Sequence, residues 1–145
     1  MRFDDEVLID ASVEKVWEIY ANVARWPEWT ASIRSVQYLE GDALAPGARL
    51  RIEQPKLPAA VWQIIAVNPG HSWTWVARGP GIRTTAIHSL EADGPNRTRA
   101  HQTLIQSGPL GAIFGRFYAR LTRRYLAMEG AGLRQRCEAH ASESP

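Results

Sequence analysis

Four histidines, His71, His88, His101 and His140, are the side chains here whose ordinary pKa lies near neutrality, so proton transfer at neutral pH falls first to an imidazole. No two of them stand at a spacing that would grip a metal ion, and no metal site is expected. The single cysteine, Cys137, excludes an intramolecular disulfide and a cysteine-based zinc site. Nothing beside it in sequence would activate the thiol. Glu28 and Glu53 have no partner carboxylate, so paired acid–base work is unsupported. A Ser-His-Asp order, a nucleotide loop and a dinucleotide glycine fingerprint are all lacking, and no cofactor is expected. Binding chemistry is left: six tryptophans, and the amides of Gln102 and Gln106, which can meet a ligand carbonyl or hydroxyl.

The chain that must position these groups has 145 residues and 45% apolar content, enough for one domain with a real core. We expect that domain to span 1–138 and a flexible tail to occupy 139–145. No apolar run approaches the length of a membrane span, and the acidic start, Met1 to Glu6, lacks the pattern of a signal peptide, so a cytoplasmic location is expected. Of the 17 basic residues only Lys15 and Lys56 are lysines, and the net charge is +2. Arg116, Arg120, Arg123 and Arg124 share a helix face that reads as solvated. Without a recognition motif or basic–aromatic interleaving, no nucleic-acid partner is expected.

Phe3–Ile9 reads as a first strand, followed by a helix capped by Ser12 and running through Tyr20. Trp26-Pro27-Glu28-Trp29 predicts a second short helix over Pro27–Ile33, because proline suits a first turn. From Ser35 the pattern becomes strands broken by turn residues: 35–40, 48–54, 59–67, 71–78, 82–91 and 97–106. Short turns between them predict an antiparallel meander. After Ser107-Gly108-Pro109, a long helix is expected from Leu110 to about Arg136, with Leu110, Phe114, Phe117, Tyr118, Leu121, Tyr125 and Met128 as one apolar stripe. A curved sheet and the only long helix then cover each other, and a cavity can remain between them.

In that order the chain resembles the START-like helix-grip (SRPBCC) superfamily, and within it the polyketide cyclase/dehydrase and lipid-transport group. The resemblance rests on Ile9-Asp10-Ala11-Ser12-Val13-Glu14-Lys15-Val16-Trp17, on Trp26-Pro27-Glu28-Trp29, on Val67 through Trp75, and on the run from Asp93 to Arg99 leading to Ser107-Gly108-Pro109-Leu110. It implies an α+β helix-grip fold: a curved antiparallel sheet of about seven strands wrapped around the C-terminal helix, with two short helices after the first strand. It also implies a hydrophobic small-molecule ligand, such as a lipid, polyketide or aromatic compound, bound by a monomer or homodimer.

With Trp73, Trp75 and Ala77 turned inward, as the resemblance in part implies, strand parity places Thr84, Ala86, His88 and Leu90 on the same side, and then Ala100, Gln102, Leu104 and Gln106. The expected ligand-binding set is Trp73, Trp75, His88, Gln102, Leu104, Gln106, Phe114, Phe117, Tyr118 and Leu121. Trp17 and Trp26 read as core. Gln102 and Gln106 either hold a ligand or bond each other. His88 either lines the pocket, bonded to Gln102 or a tyrosine, or serves as the acid–base residue of a cyclase, dehydratase or hydratase. No carboxylate is expected on its face to orient it. Binding without turnover, catalysis by His88, and an acidic partner for the arginine face are the three functions these residues leave open.

Overall fold

The segments that alternate apolar with polar residues become strands, and the glycine-marked turns between them set a meander. The computed structural model describes residues 1–143. Its strands are β1 (Arg2–Ile9), β2 (Ser35–Glu40), β3 (Arg49–Glu53), β4 (Ala60–Asn68), β5 (Ser72–Gly79), β6 (Ile82–Ala92) and β7 (Thr98–Ser107). Between β1 and β2 lie α1 (Val13–Tyr20) and a 3-10 helix over Val23–Glu28. After β7 come α2 (Gly111–Phe117) and α3 (Ala119–Glu143). One antiparallel sheet holds every strand, in the order β1-β7-β6-β5-β4-β3-β2, so the first strand closes against the last. Register shifts in β2 and β4, between Tyr38 and Glu40 and between Ile64 and Ala66, mark irregularities of the kind that bend a sheet. The fold is the α+β helix grip.

The inward parity read from the sequence is the one found. Trp73 pairs with His88 and His88 with Gln102, Trp75 with Ala86 and Ala86 with Leu104, Ala77 with Thr84 and Thr84 with Gln106. Ser12 caps α1, its hydroxyl accepting from the Lys15 N–H at 3.4 Å, and Val16 and Tyr20 turn into the core.

The helical elements depart from expectation twice. The second short helix is 3-10 and begins at Val23, earlier than the predicted Pro27 start. Its position follows from Trp26, which is fully buried and donates its indole N–H to the Tyr20 carbonyl at 2.9 Å. Trp29 N–H closes an i→i+3 bond on Trp26 O at 3.0 Å, and Thr30 and Ser32 then bond each other in place of a further helical turn. The long C-terminal helix is not one rod either: it breaks at Tyr118, whose backbone leaves the helical region (φ −101, ψ 12). Gly111 and Gly115 press α2 onto the end of β7, since a Cβ at either would meet Gln106. Past the break the buried face is Tyr125, Leu126, Glu129, Gly130, Leu133 and Cys137. The stripe that an unbroken helix would have buried therefore does not hold, and Leu110 and Phe117 are 48% and 80% exposed. Of the predicted tail, residues 139–143 continue α3, and Ser144 and Pro145 lie outside the described residues.

Glycines let α3 approach its neighbours. A Cβ on Gly132 would overlap the Trp29 carbonyl oxygen, a backbone atom that cannot swing aside, and one on Gly130 would lie 2.7 Å from Asp5 Oδ2. Gly132→Ala gains about 1 kcal/mol of helix propensity, but the overlap costs roughly 1–3 kcal/mol. A net fall in the urea midpoint is expected; a clear rise would show that α3 does not bear on Trp29.

Candidate functional site

Inward parity on β5, β6 and β7, with α3 laid across the sheet, encloses a cavity of about 580 Å³. Trp62, Trp75, Ala77, Ala86 and Leu104 form its sheet wall, and Phe114, Tyr125 and Leu126 face them from the helices. Leu57 and Pro58 of the β3–β4 loop and Gly79, Pro80 and Ile82 of the β5–β6 hairpin border it at one end. The hairpin also seats α2: the Leu110 N–H donates to Gly81 O at 2.8 Å, and Gly81 (φ +73) and Gly108 (φ +93) cross so closely that a Cβ on Gly108 would lie 2.6 Å from Gly81 O.

His88 sits in the wall inside an aromatic cage. Its ring stacks on Trp73 at 4.3 Å and 11°, and Tyr20, Trp26 and Trp75 present edges to it at 5.6, 5.6 and 5.0 Å. Burial in that cage lowers its pKa to about 3, so the imidazole is neutral at physiological pH. Its Nδ1 is buried without a hydrogen-bond partner among the described residues. Among the described residues no carboxylate bonds the ring.

The polar centre of the cavity is instead Glu129, on the buried face of α3 and 7% exposed. The Gln102 amide donates to its Oε1 at 3.1 Å, and the Ser32 hydroxyl to its Oε2 at 3.0 Å. Ser32 Oγ lies 2.7 Å from Thr30 Oγ1, which extends the chain of hydroxyls away from the carboxyl. Burial raises the Glu129 pKa to about 7; the Gln102 and Ser32 bonds oppose that rise and the Asp5 charge on β1 adds to it. No cation is among the groups acting on it. Burial, then the charges of Glu129 and Asp5, raise the Tyr20 phenol well above its ordinary value. A carboxyl near pH 7 exists in both protonation states, which suits it to give or take a proton.

Of the residues singled out from sequence, Trp75, His88, Gln102, Leu104, Gln106 and Phe114 border the cavity. Trp73 lies behind His88 and does not reach it. Phe117 points outward, 80% exposed, and Tyr118 and Leu121, half-buried, are not part of the lining. All three sit at or around the break between α2 and α3, where the assumed phase of the helix fails. Gln102 and Gln106 do not bond each other: Gln102 holds Glu129, and Gln106 Oε1 is buried without a partner. Trp26, read as core, is core and also borders the cavity. Glu129 was missed, though a signal exists: Leu126, Glu129, Leu133 and Cys137 recur at helical spacing, with an acid where an apolar residue belongs.

The sequence model of the family described as "Polyketide cyclase / dehydrase and lipid transport" matches residues 1–138. No curated protein matches the chain. Among solved structures, the fold is similar to Zhui aromatase/cyclase from Streptomyces sp. R1128, with a TM-score of 0.80 at 13% identity over 97% of this chain and 95% of that one. It is also similar to a START superfamily protein from Mycobacterium smegmatis, with a TM-score of 0.71 at 19% identity, covering 95% and 97% of the two chains. The di-domain ARO/CYC BexL from the BE-7585A biosynthetic pathway matches with a TM-score of 0.72 at 16% identity, and this chain, covered in full, spans 48% of it. These likenesses establish the shared fold.

The two buried titratable groups act on stability with opposite signs. Glu129 is raised from 4.5 to about 7, so its contribution is full below pH 4.5 and is lost as pH rises through 7. His88 is lowered from 6.5 to about 3, so its contribution is full above pH 6.5 and is lost as pH falls through 3. The two slopes, each about 1.4 kcal/mol per pH unit, cancel where the windows overlap. Between roughly pH 4.5 and 6.5 the contribution of these two groups is expected to be flat. Glu129→Gln should tilt urea-derived stability upward with pH across that interval relative to the parent, and His88→Phe should tilt it downward. Parallel profiles for all three proteins would show that neither group is held out of water.

Proposed function

The chain belongs to the polyketide cyclase/dehydrase and lipid transport family, and on that footing we propose that it binds a hydrophobic small molecule, a lipid, polyketide or aromatic compound, in the cavity between sheet and C-terminal helices. The observation that carries this reading is the cavity's chemistry. At about 580 Å³ it falls within the range of small-molecule sites, its walls are largely aromatic and aliphatic, and its buried polar atoms are few. Two of those, His88 Nδ1 and Gln106 Oε1, have no partner among the described residues. Leaving such an atom unpaired costs about 1–3 kcal/mol, which a ligand hydroxyl donating to Gln106 Oε1, or a ligand hydroxyl or carbonyl beside His88 Nδ1, would offset. The ligand that fits is an apolar body with an oxygen substituent toward His88 or a hydroxyl toward Gln106.

Ala77→Phe fills the cavity from the sheet side without touching the Glu129 contacts. It should lower the affinity for an environment-sensitive apolar dye about tenfold or more, with the fold intact by circular dichroism. Native mass spectrometry of the parent should show a co-purifying compound that this variant lacks. Dye affinity unchanged in Ala77→Phe would place binding elsewhere and remove the proposal.

A second reading, acid–base catalysis on the bound molecule, is favoured by one observation: a carboxyl in the wall with a pKa near 7, both of its oxygens oriented by Ser32 and Gln102. Glu129, rather than the neutral His88, is then the group that moves a proton, taking it from a carbon between two carbonyls or delivering it to a leaving hydroxyl. On a poly-β-ketone probe, Glu129→Gln should reduce turnover about 100-fold or more and erase the pH dependence near 7. His88→Gln should leave that dependence in place. A parent protein without turnover, or one whose profile survives Glu129→Gln, leaves the binding function alone.

A further inference from the structure

Seven of the arginines, Arg34, Arg78, Arg83, Arg116, Arg120, Arg123 and Arg124, form no ion pair among the described residues, whereas Arg2, Arg25, Arg49, Arg51, Arg97, Arg99, Arg134 and Arg136 each have an acidic partner. Arg34 lies beside Glu53 of β3, and the other six group together. Arg78 borders the cavity at the β5–β6 hairpin, Arg83 follows it on β6, Arg116 is on α2, and Arg120, Arg123 and Arg124 occupy the first turns of α3. The segments that build this end of the cavity, residues 54–90 and 94–128, contain no aspartate or glutamate at all. A chain with a net charge of +2 thus concentrates positive charge around one opening.

Within that basic ring the apolar residues are the wrong way out for a solvated helix. Ile113 and Phe117, one turn apart on α2, are 66% and 80% exposed, and Leu110, at the helix start, is 48% exposed. The opposite face of the same helix is fully used: Gly111 and Gly115 are pressed on Gln106, and Phe114 borders the cavity. Turning α2 to hide its outer residues would therefore expose Phe114 and lift the helix off β7.

We infer that this rim, centred on α2, docks on an anionic lipid bilayer, with Ile113 and Phe117 inserted at the interface and the surrounding guanidiniums on lipid phosphates. A short helix with its apolar side chains projecting outward suits an interface that admits inserted side chains. Arginines beside them reach phosphates while their stems stay in the apolar layer. The charge is complementary, and these arginines, of which Arg123 lies over the Phe3 ring, dock without first breaking an internal ion pair. Exposed residues of the cavity lining, Pro58, Arg78, Gly79 and Pro80, lie at the same rim, which gives an apolar molecule a route between bilayer and protein without crossing water. The docking itself does not depend on the ligand reading, and dye binding by the cavity reports on that reading separately.

The test is co-sedimentation of the full chain with vesicles of phosphatidylcholine alone and of phosphatidylcholine with phosphatidylglycerol. Binding is expected only to the second, and it should fall with added salt. Arg116→Gln with Arg120→Gln should weaken it about thirtyfold, and Ile113→Ser with Phe117→Ser about tenfold or more. Arg49→Gln, which removes the ion pair to Glu40, should leave it unchanged. All these positions are solvent-exposed or half-buried at the surface, and an unchanged melting temperature checks that each variant folds. No sedimentation with anionic vesicles overturns the inference, as does wild-type binding by either double variant. Loss in the arginine variant with full retention in the serine variant would also overturn it, making the rim a purely electrostatic surface suited to an acidic protein.

Discussion

A carboxyl group kept out of water between sheet and helix is the constraint on which the interior depends. Among the described residues no cation acts on Glu129, so its burial is made tolerable by the bonds it accepts and by a raised pKa that keeps it partly protonated. Gln102 reaches it from β7 and Ser32 from the loop after the 3-10 helix, which ties three separate parts of the chain to one functional group. Gln102 stands directly opposite His88 on β6, and His88 opposite Trp73 on β5. A one-residue slip in either pairing would turn the glutamine to the outer face and strand the carboxyl. Sheet register, helix position and the polarity of the cavity are therefore parts of one arrangement.

The aromatic layer serves the same end from the other side. Tyr20 and Trp26 stack in parallel at 5.5 Å, and together with Trp73 and Trp75 they surround the imidazole of His88. This packing keeps the ring neutral, while Trp26 N–H binds the Tyr20 carbonyl and joins α1 to the 3-10 helix. Two polar groups thus sit in one low-dielectric wall with opposite responses to burial: a base kept unprotonated and an acid kept partly protonated. A cavity with such a wall discriminates by hydrogen bonding and shape, since neither group is a fixed charge across the whole neutral range.

The break at Tyr118 gives the two ends of the molecule different characters. Beyond it, α3 closes the cavity against β1 and the 3-10 helix, with glycines at 130 and 132 where the approach is tightest. Before it, α2 is fastened to β7 and the β5–β6 hairpin and turns apolar residues to the outside. The helix grip is shared with structurally similar proteins at 13–19% identity; the acid in the wall and the character of the rim belong to particular side chains on it.

How much of this could be read in advance follows from the range of each interaction. Strand and turn assignments depend on neighbouring residues, so alternation and turn glycines placed all of β1 to β7 within a residue or two, and parity carried His88, Gln102 and Gln106 to the same side. The resemblance to helix-grip proteins supplied the arrangement of sheet and helix. The phase of a helix, by contrast, accumulates along its length, and a single break rotates everything after it. Nothing local announced that Gly111 and Gly115 would pin α2 to β7, so Phe117, Tyr118 and Leu121 were assigned to a cavity they do not border, and Glu129 was passed over. The sequence by itself determined which residues form the sheet, because strands and turns are set by patterns a few residues long; which face is buried needed the resemblance as well as parity. Only the tertiary structure decided that a carboxyl on α3 would lose its water to β7, because a pKa near 7 arises from burial among groups distant in the chain.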